Sequence, residues 1–511
     1  MCIRQRARLR SFVLRPSSPA PVKGFILLIT FALRAAPLTD NRFHPDEALY
    51  AAFARLIASG RDPLLSTIVA DKPPLPFYLM AASMTVFGGT EFAARLPSLF
   101  ASLITVAILH RLTRTIYNGD AATFSALTLA LSPMAILFAI TLFTDTLLAA
   151  FIFFSLLCAA RQQWSTAGWA FGLAFACKQT ALFFLPLIIA FGITSFFHRR
   201  DLSKRFSVTS VFSVMKSFLL PTILCAAAIF LWDFARHAPI SFWIQGYADN
   251  NPGRLVRSNE IWPRLSAWID LLRHLTGSSI INIALLIGLP LLLFFNRRSI
   301  PALHDFILAG FTLAFLAGYW LLAFNVWDRY LLILTPIIAL LTGRLLDRLA
   351  FLALRFTPHA PRFTLLLSFL ILLPSSLTAA RSGFPIGGDH GAYDGIDEIA
   401  ATLRGVPPGS VLYDHWLSWE LGFYLFDGPT YFVWMPGPGT LADDLKSFGH
   451  TSPRFIVSPS WESFAEAQAA IESAGFTAEP IQQTHRRDGS LSFTLYQVLP
   501  SAVSDQPPAP Y

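Results

Sequence analysis

Residues 121–160 read AATFSALTLALSPMAILFAITLFTDTLLAAFIFFSLLCAA, forty positions in which Asp145 is the only charge. As one helix they would reach ~60 Å, twice the ~30 Å hydrocarbon core of a bilayer. Two membrane crossings fit better, near 121–142 and 144–160, with Asp145 heading the second. Similar apolar stretches recur near 24–40, 93–111, 166–178, 181–197, 217–235, 276–296, 303–324, 330–347 and 363–379. The expected fold is therefore mostly α, a polytopic membrane helical bundle with about eleven crossings. Residues 166–197 would make a single helix of ~46 Å, so we divide them at Lys178–Gln179–Thr180. The shorter, aromatic Leu75–Gly88 reads as a helix lying at the membrane interface.

Basic residues set the expected orientation. With the N-terminus inside, the even-numbered spans end at Arg111/Arg114, Arg161, Arg199/Arg200/Lys204/Arg205, Arg297/Arg298 and Arg344/Arg348, all cytoplasmic as the positive-inside rule requires. An odd number of crossings leaves the C-terminus outside. Residues 1–23 carry Arg4, Arg6, Arg8, Arg10 and Arg15, and read as a cytoplasmic anchor before a retained first span rather than a cleaved signal peptide.

Of the whole chain, 54% is apolar and 14% charged, against about a quarter charged in soluble domains. The net charge of +8 sits in short clusters between apolar runs, which argues against a nucleic-acid partner and for the bilayer. The four cysteines, Cys2, Cys158, Cys177 and Cys225, show no metal-site or disulfide spacing. From Arg381 the chain turns acidic, with fifteen acidic residues against six basic. Residues 381–500 read as an extracytoplasmic α/β domain after a membrane domain at 24–380. Its expected strands are 410–414, 430–434, 454–458 and 491–498, and its expected helices 393–404, 441–448 and 463–474. Residues 501–511, with three prolines, read as a disordered tail.

This topology sends five separated polar clusters to one membrane face: Asp46–Glu47 with Tyr50, Asp71–Lys72, Asp145, Lys178, and Asp328–Arg329–Tyr330. Ionisable groups at membrane depth are costly and usually functional. Each also has a plainer reading. Asp145 suits a helix N-terminus, Lys178 a snorkelling lysine at a helix end, and Lys72 an anchor at headgroup level. Asp46–Glu47 suits a solvated acidic pair opening a helix from Asp46 to about Ser59. Together, though, a cation that can hold phosphate and a carboxylate that can take a hydroxyl proton describe group transfer from a lipid phosphate. In the C-terminal segment, Tyr413–Asp414–His415–Trp416 and Trp419–Glu420 suit either stacking on a sugar or a small aromatic core.

At these residues the chain resembles the polyprenyl-phosphate-sugar-dependent glycosyltransferases of the GT-C fold. More closely, it is similar to the bacterial branch of the dolichyl-phosphate-mannose protein mannosyltransferase family, which includes aminoarabinose transferases acting on lipid A. The resemblance covers about residues 24–380 and is carried by Asp46–Glu47–Ala48–Leu49–Tyr50, Asp71–Lys72–Pro73–Pro74, Asp145 and Asp328–Arg329–Tyr330. It implies that Asp46 is the catalytic aspartate, Glu47 its acidic neighbour, Asp145 a second functional aspartate, and Lys72 the lysine facing the carrier-lipid phosphate. Arg329 is the candidate second cation, and Tyr50, Asp71, Lys178 and Tyr330 are candidate substrate contacts. Two departures stand out. Leu49 replaces an arginine that aminoarabinose transferases use on the lipid phosphate, and Asp71 replaces a glutamate that helps hold a metal.

The expected activity is an inverting hexosyl or pentosyl transfer in the cytoplasmic membrane. The donor would be a polyprenyl-phosphate sugar and the acceptor a lipid, glycan or protein. No cofactor and no metal site is predicted. The alternative is a transporter or flippase of a lipid-linked sugar, which calls for charges near the bilayer midplane and a repeated half.

Overall fold

The computed structural model describes residues 20–199, 208–251, 253–295, 300–415 and 417–501. The expectations placed on residues 1–19, on Arg200/Lys204/Arg205, on Arg297/Arg298, on Trp416 and on the tail beyond 501 lie outside them. The described residues form two compact units, 20–38 with 56–387, and 39–55 with 388–501.

The first unit is helical. In chain order its helices are α1 (Ala20–Ala35), α3 (Leu75–Phe87), α4 (Glu91–Ile116), α5 (Gly119–Ala130), α6 (Pro133–Leu137), α7 (Asp145–Ala160), α8 (Trp164–Cys177), α9 (Leu185–Arg199), α10 (Val208–Ala235), α11 (Phe242–Asn250), α12 (Ile261–Leu272), α13 (Ser279–Phe295), α14 (Ile300–Leu321), α15 (Thr335–Ala353) and α16 (Ala360–Ala379). The number α2 is kept for Pro45–Ala58, whose residues through Arg55 belong to the second unit. Every apolar stretch read from the sequence carries a helix. Among the described residues six are long and apolar enough to cross a membrane, or seven if α5 and the bent segment after it count as one. Helix length by itself thus supports fewer crossings than about eleven. The outward faces stay apolar, Leu231 being 66% and Leu286 76% exposed, as suits lipid rather than water.

The breaks have physical causes. Ser132 caps α6, accepting from Ala135 N at 3.3 Å, and Pro133 fits its first turn. The chain bends by 60° there. The freed carbonyls at the end of α5 are taken by the buried Arg34, whose Nη1 donates to Ala130 O (2.9 Å) and Nη2 to Leu129 O (3.1 Å). Lys178 is extended (φ −160°, ψ 136°), ending α8 before a 3-10 turn at Gln179–Phe184. The expected division of 166–197 is therefore present. Helix α8 lies close on α10 through Gly168 and Gly172. A Cβ on Gly168 would stand 2.2 Å from Phe218 O, and one on Gly172 2.6 Å from Cys225 Cβ. Small residues four apart let membrane helices approach in this way.

The second unit is an α/β sandwich. Its strands are β1 (Val411–Asp414), β2 (Tyr431–Trp434), β3 (Arg454–Pro459), β4 (Phe476–His485) and β5 (Leu491–Pro500), in the order β2-β1-β3-β5-β4. Strand β1 is parallel to β2 and β3, and β5 is antiparallel to β3 and β4. Helices α17 (Ile396–Arg404) and α18 (Ser418–Tyr424) share a core with Leu412, Phe455 and Leu495. Helices α19 (Pro438–Phe448) and α20 (Ala465–Ser473) share the other, with Val411, Tyr413, Ile456 and Val498. The two cores use alternate strand residues, as a pleated sheet covered on both faces must. Helix α2 belongs to this unit: Phe53 meets Trp419 edge-on at 5.9 Å and Phe43 meets Phe423 at 4.9 Å.

Candidate functional site

In the first unit, order begins in the loop before Lys72. The Asp62 carboxylate accepts from Ser66 N and Thr67 N, both at 2.8 Å, which holds it below the usual carboxylate range. Arg236 fastens the same loop, donating to Leu65 O (3.3 Å) and Ile68 O (3.4 Å) while paired with Asp233 (3.0 Å). Gln179 Nε2 donates to Asp71 O at 2.9 Å, tying the loop to the break at Lys178. Gly246 on α11 lies against that junction. A Cβ there would be 2.4 Å from Asp71 O and 2.5 Å from Gln179 Nε2.

The loop so fixed presents a buried Lys72, ion-paired with Asp71. Lys178 is buried too, at 4% exposure, and donates to both oxygens of the equally buried Asp145 at 2.7 and 2.8 Å. It is not a snorkelling side chain, and Asp145 is not simply a helix N-terminal carboxylate. Lys178 Nζ also stands 5.3 Å from the Tyr330 ring centre. The Arg329 guanidinium packs against Trp327 (4.2 Å), Phe143 (5.0 Å) and Tyr330 (5.9 Å). Its neighbour Asp328 accepts from Arg329 N and Gly387 N, both at 2.7 Å, which fixes the turn. The charges of both Lys72 and Arg329 reach Lys178. Three cations from separate stretches of chain thus lie close to one another, one of them paired with the buried Asp145. Such a group suits a substrate bearing negative charge.

Beside Tyr330 opens a cavity of about 160 Å³ walled by Asp249, Asn250, Asn251, Arg254, Phe324 and Asn325. Arg264 braces its rim through Tyr319 O (3.2 Å), and Val256 N donates to Leu321 O at 2.9 Å. Sequence reasoning passed over these residues because single asparagines in a loop carry no pattern. It also passed over Arg34 and Gly246, each of which acts through a neighbour known only from the fold.

Asp46, Glu47 and Tyr50 lie on α2, in the second unit. The helix starts at Pro45, as the acidic pair suggested, but only Asp46 of the pair keeps some exposure. Glu47 is 1% exposed and accepts from His44 N at 3.2 Å, closing the first turn. Asp46 N donates to His44 Nδ1 at 3.2 Å. Tyr50 is buried. The sugar-stacking reading of the C-terminal aromatics is largely displaced. Tyr413 is core, hydrogen-bonded to Asp444 and Arg454, and Asp414 is buried, accepting from Leu417 N at 2.9 Å. Trp419 is 44% exposed. Among the described residues no three His, Cys, Asp or Glu side chains converge as metal ligands would.

Residues 71–231 match the family described as dolichyl-phosphate-mannose-protein mannosyltransferase. In structure, the chain is similar to ArnT from Cupriavidus metallidurans bound to undecaprenyl phosphate, with TM-score 0.58 and 16% identity, over 93% of this chain and 97% of that one. It is also similar to an oligosaccharyltransferase of Archaeoglobus fulgidus in complex with Zn and sulfate, with TM-score 0.51 and 14% identity, over 92% and 72%. The fold is accordingly the GT-C fold of multi-pass membrane glycosyltransferases. In sequence, part of the chain is similar to two aminoarabinose transferases. It is 27% identical over 187 residues to the undecaprenyl phosphate-alpha-4-amino-4-deoxy-L-arabinose arabinosyl transferase 2 of Proteus mirabilis, over 33% of each chain. To the enzyme of the same name from Pseudomonas fluorescens it is 25% identical over 343 residues, 63% of this chain and 56% of that one. The matches thus span a third and somewhat over half of these relatives' length.

Proposed function

We propose that this protein transfers one sugar from a polyprenyl phosphate to a lipid, glycan or protein acceptor on the outer face of the cytoplasmic membrane. The observation that carries the reading is the closeness of Lys72 and Arg329 to Lys178, which is itself paired with the buried Asp145. The relatives' names, and the undecaprenyl phosphate held by the solved ArnT, point to the same class of donor. In the step itself the acceptor oxygen bonds to the anomeric carbon as the carbon–oxygen bond to phosphate breaks. The electron pair leaves on the polyprenyl phosphate, the acceptor proton goes to Asp46, and the anomeric configuration inverts. Lys72 and Arg329 stabilise the charge that develops on the departing phosphate, the task for which preorganised cations in a dry site are most effective. Glu47 holds the first turn of α2 and so the direction of Asp46. The 160 Å³ cavity beside Tyr330 is below the roughly 300–1,000 Å³ of a drug-sized pocket, and we assign it to a single sugar. Neither a cofactor nor a metal enters the step as written.

The test is turnover in nanodiscs with sugar-labelled undecaprenyl-phosphate mannose, glucose and 4-amino-4-deoxyarabinose, using a cell-envelope extract as acceptor. Release of polyprenyl phosphate is expected with at least one donor and with no nucleotide sugar. Asp46→Asn is expected to lose 10²–10⁴-fold in rate while inserting normally. Transfer from a nucleotide sugar without a lipid carrier, or near-normal turnover by Asp46→Asn, sinks the reading.

A further inference from the structure

Glu420 is the one buried carboxylate among the described residues with both oxygens lacking a hydrogen-bond partner outside their own residue. It is 1% exposed and lies on α18, the short helix against which α2 packs through Phe53–Trp419 and Phe43–Phe423. An ionised carboxylate is not kept in such a place without compensation. The charged groups on the surrounding elements supply none. Asp46 and Asp414 both repel it electrostatically, and Glu47 on α2 is turned to His44 N. Arg55 and Arg404 donate to the α18 carbonyls of Phe423 and Tyr424 instead. Tyr393, which also feels its charge, is a phenol raised above its ordinary range by burial. Burial first, then Asp414 and Asp46, push the Glu420 carboxyl from its ordinary 4.5 up to about 8.

We propose that Glu420 is a positioning residue for Asp46, contributed by the C-terminal unit to the reaction. Held as a neutral carboxyl, it lets α2 pack on α18 without a second buried charge beside Asp46. Ionisation of Glu420 would place two like charges at one site. That loosens the packing of α2 on α18 that aims Asp46. This inference rests on the reading of Asp46 as the base.

The experiment is the pH–rate profile of the full chain in nanodiscs between pH 6 and 9.5, for wild type, Glu420→Gln, Glu420→Ala and Asp46→Asn. A group titrating near 8 leaves about one carboxyl in ten protonated one unit higher. The wild-type rate is therefore expected to fall about tenfold between pH 7 and 9. Glu420→Gln, permanently neutral and of the same shape, is expected to retain the pH 7 rate and hold it within about twofold across that range. Glu420→Ala is expected to lose rate throughout. The infrared C=O stretch of a protonated buried carboxyl is expected in the wild type at pH 7 and absent from Glu420→Gln, a readout independent of turnover. An alkaline limb shared by wild type and Glu420→Gln, a Glu420→Gln that fails to fold, or the lack of that infrared band overturns the inference. Near-normal turnover by Asp46→Asn instead overturns the functional reading beneath it.

Discussion

Asp145 and Lys178 carry the sharpest question at the scale of single residues, because a buried ion pair can be structural, catalytic or both. Removing one partner leaves the other charge buried and uncompensated, at a cost of about 3–5 kcal/mol, while replacing both by neutral groups of similar volume is often nearly neutral. Lys178→Met alone is therefore expected to lower stability by about that much, and the double variant Asp145→Asn/Lys178→Met to recover most of it. Melting in detergent reads the stability and donor turnover reads the function. If the recovered double variant also regains turnover, the pair is a strut, and the second-aspartate role for Asp145 is withdrawn. If it melts like wild type but stays inactive, the charge itself serves the reaction.

At the scale of elements, the site depends on how closely α11 lies on the Asp71–Lys72 loop. Gly246 has ordinary helical backbone, so its importance is a matter of space: a Cβ would meet Asp71 O at 2.4 Å and Gln179 Nε2 at 2.5 Å. Gly246→Ala is expected to cost a modest ~1–3 kcal/mol in overpacking. It is also expected to push the Lys72 loop aside by a fraction of an ångström to 1 Å, and misplacement of that size costs on the order of 10²-fold in rate. Turnover and melting of Gly246→Ala check this together. Loss of stability with turnover unchanged would show that Lys72 is not held by α11. The second unit teaches a different lesson about elements. The expected strands at 410–414, 430–434, 454–458 and 491–498 are present within a residue or two. Strand β4 had no expectation, because its Phe476–His485 stretch contains Pro480 and several polar residues. Proline is tolerated at a sheet edge, and β4 is an edge strand whose pairing shifts between Pro480 and Gln482. Helix α18 escaped because seven residues are too few to show a period.

For the whole molecule the open quantity is orientation. The basic span ends predict that Arg200 lies inside and Val498 outside. A phosphatase fused after Val498 is expected to be active, and one fused after Arg200 inactive. The reverse pair of results would place the Lys72–Lys178–Arg329 group toward the cytoplasm, where nucleotide sugars are available, and the lipid-donor mechanism would lose its setting.

The sequence determined the helical bundle, the division at Lys178, the α/β character of the C-terminal domain and the residue types of the site. These are local or periodic properties: apolar run length against bilayer thickness, strand alternation, and a charge standing where charge is expensive. Only the tertiary structure decided which charges meet. It paired Lys178 with Asp145, buried Glu47, put the asparagine-walled cavity beside Tyr330, and joined the Asp46 helix to the C-terminal domain. Each of those contacts joins segments far apart in the chain, and partnership across such distances is set by packing, which no local pattern records.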